Sequence, residues 1–305
     1  MSIIVGCSCD SVHGNTGTPN CVEMFGLASG LGITSVLNGL GVQNSISLVT
    51  PSTTFTDNLT NADRTERIFP VKNLRNVTFP LEDTTFETDN TNQKEFVRDG
   101  VQSFLAEVWR SSNVFMSKLR QGRCNRNAAW IFTPNGVIGV RDDQTFYPIE
   151  INAYDPRWMF QDGTQSAKGM IGFDFDASVD KGQLWLVSYA DLGTSYAAIK
   201  GLIDVNYTVI DAAAAGASNT TVGLQLNTDY GSGLAVGEQD VDGLVLANFL
   251  ITNTTTGLTV TAVSVEEDPG VKYTFTFPNQ TALDKIRISV LTSTGFEGSV
   301  QIIAP

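Results

Sequence analysis

The sequence predicts a mainly β protein with two domains, residues 1–203 and residues 204–305. Two observations predict this class. In the second domain, short runs of Val, Ile, Leu, Thr and Phe alternate with clusters of Asp, Asn, Gly and Pro, which is the pattern of a β-sandwich. In the middle third of the chain, one apolar stripe at helical spacing precedes a series of strand-like segments. That layout indicates an α+β domain with one helix laid on a sheet.

Length, composition and charge limit the classes of partner. The chain has 305 residues, of which 42% are hydrophobic and 17% charged, so each domain can bury its own core. The net charge is −13, and residues 204–305, with eleven acidic and three basic residues, carry −8 of it. We therefore expect that the protein does not bind nucleic acid tightly, although DNA can move along such an acidic surface without being bound. No run of about 20 apolar residues is present to span a membrane.

The first domain is expected to begin with short strands and tight turns over residues 1–50, which are rich in Gly, Ser and Thr. Residues 51–98 are polar and are predicted to form an extended arm or loop without a helix. Two strand-like pieces at residues 67–71 and 77–81 interrupt this segment. Each piece contains a proline, which is typical of edge strands.

The single helix is predicted from a stripe that starts behind Asp99, the candidate N-cap, and runs to Gly122. The Ser-Ser-Asn sequence at 111–113 is a possible break of this helix into two pieces. The apolar residues of the stripe are Val101, Phe104, Leu105, Val108, Phe115 and Leu119. Strands are then predicted at residues 128–133, 136–140, 145–151, 169–175 and 183–189.

The second domain is predicted to consist of strands joined by turns. The alanine-rich residues 212–218 are flanked by strand-like and Gly/Ser-rich sequence, so we interpret them as a loop. The predicted strands are residues 224–226, 244–246, 258–263, 273–277, 286–290 and 300–303.

One cluster of metal-ligating residue types lies near the start of the chain. Cys7, Cys9, His13 and Cys21 include the only histidine and three of the four cysteines, and zinc binds such residues in a tetrahedron. The Cys-x-Cys spacing without a second close pair is not that of a usual zinc knuckle. The alternative that we favour is small, half-buried thiols in a reduced compartment. Cys124 stands apart and is expected to serve in packing.

Two acidic patterns are candidates for chemistry. Glu238, Asp240 and Asp242 resemble the first half of a calcium loop, but the twelfth position lacks the required Glu, so we interpret the segment as a polar turn. Asp174 and Asp176 share one face of a strand and could act as an acid–base pair. A solvated strand face is the interpretation that we favour. We find no cofactor motif and predict that the chain is not an enzyme.

The tryptophan residues bear on whether the protein recognises glycans, because a glycan site requires exposed aromatic side chains. Trp109, Trp130 and Trp185 lie within patterned apolar runs and are predicted to be core residues. Trp158 is the candidate surface aromatic, so a glycan-binding module is an alternative function that depends on this residue.

Several short motifs lie along the chain. They are Asn-Thr-Gly-Thr-Pro-Asn-Cys at residues 15–21, Ile-Phe-Thr-Pro-Asn-Gly at 131–136, Tyr-Pro-Ile at 147–149, Ile-Gly-Phe-Asp-Phe-Asp at 171–176, Thr-Asp-Tyr-Gly at 228–231, Tyr-Thr-Phe at 273–275 and Gly-Phe-Glu-Gly at 295–298, together with the stretch from residue 101 to residue 120. With these motifs the sequence resembles the tail tube proteins of long-tailed bacteriophages. The resemblance implies a tail-tube-like β-sandwich or barrel in residues 1–203 and an Ig-like β-sandwich in residues 204–305.

The resemblance implies a structural virion protein. In this family, subunits close into rings by edge-to-edge strand pairing and the rings stack into a tube, through which DNA passes without specific binding. Partners would be further copies and other virion proteins, with assembly in the host cytoplasm, and residues 51–98 would contact a neighbouring ring. The alternative is a capsid decoration or head-associated protein that displays its Ig-like domain.

Overall fold

The computed structural model describes residues 28–88, 94–98, 100–109, 111–159, 168–176, 183–228 and 239–305; for residues 94–98 and 239 it describes the backbone only. The fold is mainly β, as predicted. Contacts divide the chain into two compact units, one that ends at Lys200 and a second formed by Gly201–Pro305. Each unit is described separately below.

Most strands of the N-terminal unit belong to one sheet that curls into a half-barrel. Its elements are β1 (Gly30–Ser35), β2 (Ile46–Ser47), α1 (Pro51–Thr60), β3 (Phe69–Val71), β4 (Leu74–Thr78), β5 (Thr85–Thr88), β6 (Lys94–Arg98), β7 (Ser103–Val108), α2 (Asn113–Gln121), β8 (Asn127–Phe132), β9 (Gly136–Asp142), β10 (Thr145–Tyr147), β11 (Ile149–Met159), β12 (Lys168–Phe175) and β13 (Leu184–Ser188). The order is β2-β10-β9-β8-β11-β12-β7-β4, while β1 joins β8 to β3, and β13 pairs with β9. The strands predicted from residue 128 to residue 189 are confirmed, except that residues 145–151 belong to two strands, β10 and β11, rather than to one.

Both faces of this sheet are buried at β8. Ala129 and Ile131 point into a first core, against which α2 packs. Trp130 and Phe132 point the other way, into a second core under α1. Because successive strand residues alternate in direction, a strand covered on both sides reads as a continuous apolar run.

The predicted single helix is wrong in its first half. Residues 103–108 form β7, in which Phe104, Ala106 and Val108 are buried in alternation between β12 and β4. Only the second piece is helical. It begins behind Ser112, whose hydroxyl accepts a hydrogen bond from the Phe115 amide at 3.1 Å.

Residues 51–98 also differ from the prediction, because they begin with a second helix. Pro51 occupies the first turn of α1, and Phe55 and Leu59, one helical turn apart, are buried in the second core. The first proline-containing piece behaves as predicted, since β3 pairs only with β1 among the described strands. The second is wrong as a strand, because β4 ends at Thr78 and Leu81 makes only an isolated bridge to Gln102. Beyond them, β5 and β6 form a separate two-stranded sheet.

The C-terminal unit is a sandwich of two sheets. Its strands are β14 (Ile203–Ala215), β15 (Asn219–Thr228), β16 (Gln239–Asp240), β17 (Phe249–Asn253), β18 (Leu258–Thr259), β19 (Ser264–Asp268), β20 (Lys272–Pro278), β21 (Lys285–Val290) and β22 (Phe296–Ile303). One sheet has the order β14-β15-β20-β19 and the other β18-β17-β21-β22. In chain order these are the A-B-E-D and C′-C-F-G arrangements of an immunoglobulin-type sandwich.

The start of β14 joins the two sheets. Ile203 and Asp204 pair in parallel with Phe296 and Glu297 of β22, whereas the rest of β14 pairs with β15. The predicted loop at residues 212–218 is therefore wrong up to residue 215, where β14 ends. The predicted strand at residues 244–246 is also wrong, since that segment runs into a short 3-10 turn before β17.

Candidate functional site

An open cleft of about 670 Å³ lies on the N-terminal unit, on the face of β7 and β12 turned away from the first core. Gly172 is one of the residues that line the cleft, and it contributes no side chain there. The wall is a β-bulge in β11 between Asn152 and Asp155, where Ala153 adopts a φ of 50°. The bulge turns the Asp155 carboxylate towards the cleft.

The arginines around the cleft are already paired with carboxylates. Asp155 accepts from Arg157 at 2.9 Å and lies 3.5 Å from Arg123, while Arg126 pairs with Glu150 at 2.8 Å. All three arginine side chains remain more than half exposed. Exposed pairs of this kind contribute little to stability.

The two carboxylates considered for acid–base chemistry hold neighbouring strands together. The Ser103 hydroxyl of β7 donates to Asp174 at 2.6 Å, and the Asn152 amide of β11 donates to Asp176 at 2.6 Å. Each carboxylate therefore faces a neutral donor on an adjacent strand. Both hydrogen bonds brace the sheet.

The acidic segment that resembles half a calcium loop caps turns of the C-terminal unit. Asp242 accepts from the Gly270 amide at 3.1 Å, and Glu267 accepts from the Gly243 amide at 2.7 Å. Asp240 accepts from Gln225 at 3.2 Å. Two turns thus satisfy each other's backbone donors, which is the function of a polar turn.

The predicted zinc candidates Cys7, Cys9, His13 and Cys21 lie outside the described residues. Within the described part of the chain, no group of three His, Cys, Asp or Glu side chains has the geometry to hold a metal ion. Cys124, which we expected to serve in packing, is exposed.

The tryptophan predictions are confirmed in part. Trp130 is buried, as predicted, and Trp185 packs partly against the second core beneath the Arg141 guanidinium. Trp109 is 41% exposed rather than a core residue, and the Arg75 guanidinium lies 3.5 Å from its ring centroid. Trp158 is half-buried against the first core and lines a groove beside α2.

A braced loop presents apolar side chains that sequence patterning did not single out. In this apolar loop, residues 37–43, Leu40 is 88% exposed and Val42 is also exposed. The Asn38 side-chain oxygen accepts from both their amides, at 3.0 and 2.9 Å. The loop is also tied to the next segment, because Asn38 donates to Glu66 at 2.9 Å and the Thr65 hydroxyl accepts from the Gly39 amide at 2.8 Å.

The hairpin formed by β5 and β6 pairs with no other described strand. All four residues of β5 are exposed, and its Phe86 belongs to the exposed apolar side chains. The base of the hairpin is fixed, since the Glu82 amide donates to the Val101 carbonyl at 3.0 Å and Leu81 bridges to Gln102. The hairpin is therefore tied to the N-terminal unit at its base, while no described strand pairs with its edges.

No protein-family model, no curated protein and no solved structure matches this chain. Among the residues that the structure describes, no helix is long and apolar enough to cross a membrane. The described residues form a mainly β protein of two compact units.

Proposed function

We propose that this chain is a structural subunit that self-associates through its N-terminal unit, and that the assembly is the tail tube of a long-tailed bacteriophage. The observation that carries self-association is the β5–β6 hairpin. A two-stranded hairpin alone is at best marginally stable in water and needs further strands or a packing surface. A neighbouring copy would supply that surface.

The open strand edges give the hairpin a place to bind. β3 and β4 each have one partner among the described strands, and unpaired edges act as templates for another chain. A hairpin of one copy that pairs with a strand edge of the next copy makes a heterologous contact, which closes into a ring when the rotation permits. The apolar loop adds a rigid contact, since Leu40 and Val42 are held in place before binding.

The assignment of the assembly to a tail tube rests on the resemblance of the sequence motifs and on charge. A chain with a net charge of −13 offers phosphates few cations, so DNA would pass along such an assembly without specific binding. Other virion proteins would then be its partners. The immunoglobulin-type sandwich is the part that a head-associated protein would display, which makes that role the second candidate.

Removal of the hairpin tests self-association. Residues 84–98 can be replaced by a two-residue Asn-Gly turn, because contacts between Glu82 and Val101 already hold the base together. We expect the native chain to form rings or tubes as concentration rises in negative-stain electron microscopy, and the shortened chain to stay monomeric with unchanged circular dichroism. Leu258→Ser, which removes an exposed apolar side chain from the C-terminal unit, is the control and should still assemble.

The outcomes separate the candidates. Native protein that remains monomeric at every concentration, alone and with phage tail components, contradicts the tube. If the same monomers bind preformed heads, the head-associated role takes its place. If the shortened chain assembles as well as the native chain, the hairpin does not mediate assembly. The proposal of a self-associating structural subunit would still stand.

A further inference from the structure

A groove of about 470 Å³ lies between α2 and the end of β11. Polar side chains from one face of α2 line one wall, and Trp158 of β11 lines the other. The helix residues in the wall are Asn113, Met116, Ser117, Arg120 and Gln121, which recur at intervals of three and four.

The two walls are held in place by packing. Met116 is buried in the first core, and Trp158 packs partly against the same core. Gly169, the β12 partner of Trp158, allows the helix to approach, because a Cβ there would lie 2.5 Å from the Met116 sulfur. The Gly169 amide also donates to the Ser111 hydroxyl at 3.2 Å, just before the helix begins. The groove is therefore formed before any ligand enters it.

The polar side chains of the groove are not engaged. Asn113, Ser117, Arg120 and Gln121 are exposed and make no side-chain hydrogen bond or ion pair with the part of the chain that the structure describes. The open cleft differs in this respect, since its arginines are paired with carboxylates. The groove is thus lined by four polar side chains whose hydrogen-bonding groups remain available to a ligand.

The charges and polar groups that line the groove restrict the chemical class of ligand that it can bind. It contains one cation and no carboxylate, so neither a multiply charged anion nor a divalent metal ion has the opposite charges that it requires. An apolar ligand would leave the amide and hydroxyl groups unpaired, which is unfavourable. A sugar ring has an apolar C–H face that contacts an indole, and a rim of hydroxyl groups that both donate to and accept from Asn, Gln and Ser.

We propose that the groove between α2 and β11 binds a saccharide, with Trp158 against the sugar ring and Asn113, Ser117 and Gln121 bonded to its hydroxyl groups. This is a function beyond self-association. It needs only one chain, so it stands or falls independently of tube formation.

Ligand-observed saturation-transfer NMR on the full chain tests the proposal. The probes are glucose, galactose, mannose and N-acetylglucosamine and their short oligomers, each at about 10 mM, a concentration that occupies a site of millimolar affinity. We expect saturation transfer to the ring protons of at least one probe. No transfer to any of these saccharides would overturn the proposal.

Substitutions in the groove locate the site. Asn113→Ala combined with Gln121→Ala removes two hydrogen bonds from exposed helix positions and should weaken binding about tenfold or more. Ser117→Trp should abolish binding by filling the groove. Trp109→Phe changes an exposed tryptophan elsewhere and should leave binding unchanged. Binding that survives both groove variants, with circular dichroism unchanged, would contradict this location.

Discussion

Tyr273 links two turns of the C-terminal unit through its buried hydroxyl group. The hydroxyl donates to the Val241 carbonyl at 2.8 Å and accepts from the Leu244 amide at 3.2 Å. Burial disfavours the phenolate and raises the pKa of Tyr273 to about 12. The folded state therefore keeps this proton at pH values at which the unfolded chain releases it.

The contribution of Tyr273 to stability should depend on pH in the alkaline range. It is fully present below about pH 10 and is lost as pH rises towards about 12, because the unfolded state then binds fewer protons than the folded state. We expect Tyr273→Phe to lower the free energy of unfolding by about 1–3 kcal/mol at neutral pH, since Val241 and Leu244 lose their partner. Above about pH 10 the difference should shrink. Urea unfolding followed by circular dichroism measures both values.

Stability curves of native and Tyr273→Phe protein that stay parallel from neutral to alkaline pH would contradict the assigned role of burial.

The burial of a single side chain could be predicted from the sequence only where the residues next to it along the chain determine that burial. Trp130 lies within a run buried on both faces, and its prediction is confirmed. Trp109 follows directly after Val108 and looks equivalent in the sequence. Trp109 is nevertheless exposed, and its ring is contacted by the Arg75 guanidinium of the adjacent strand β4. No local pattern contains that contact.

At the scale of elements, residues 101–108 show why helix and strand were confused. Phe104 and Val108 are four residues apart, a separation that suits one face of a helix and also one face of a strand. The small Ala106 between them completes the strand alternation but adds little to an apolar stripe. Pairing with β12 and β4 stabilises the strand over the helix, and the sequence pattern does not contain these pairings because they depend on the fold. The sequence does not predict α1, because Phe55 and Leu59 are its only large apolar residues and the positions around them are mostly Thr, Asn and Asp.

The pairing of β9 with β13 depends on a glycine. A Cβ at Gly136 would lie 2.1 Å from the Val187 carbonyl oxygen, so the backbones must separate to accept any side chain. We expect Gly136→Ala to lower the free energy of unfolding of the N-terminal unit by about 1–3 kcal/mol. Urea unfolding followed by tryptophan fluorescence measures this loss.

Gly122→Ala is the matched control. Gly122 has ordinary helical backbone angles, and the nearest atom to its Cβ would be 4.0 Å away, so the change should cost little. Equal losses for the two alanine variants would show that close strand approach at Gly136 does not limit stability.

At the scale of the whole molecule, separate cores predict separate unfolding. The first and second cores lie in the N-terminal unit, and a third lies in the C-terminal unit. All four tryptophans belong to the N-terminal unit, so their fluorescence reports on that unit, whereas circular dichroism reports on both.

Tyr273→Phe should therefore shift the transition seen by circular dichroism and leave the fluorescence transition in place, whereas Gly136→Ala should shift the fluorescence transition. A fluorescence midpoint that moves in Tyr273→Phe by as much as the dichroism midpoint would contradict independent units. The experiment needs no label, because the distribution of tryptophan supplies the reporter.

The parallel pairing of β14 with β22 has a mechanical consequence. Tension applied between the start of the C-terminal unit and the end of the chain would pull these two strands in opposite directions along their lengths. The hydrogen bonds that join Ile203 and Asp204 to β22, and the bond from the Ile203 amide to the Gly295 carbonyl at 3.0 Å, would then be loaded together rather than one after another. A stretched chain should hold its C-terminal unit folded until this patch shears as a whole.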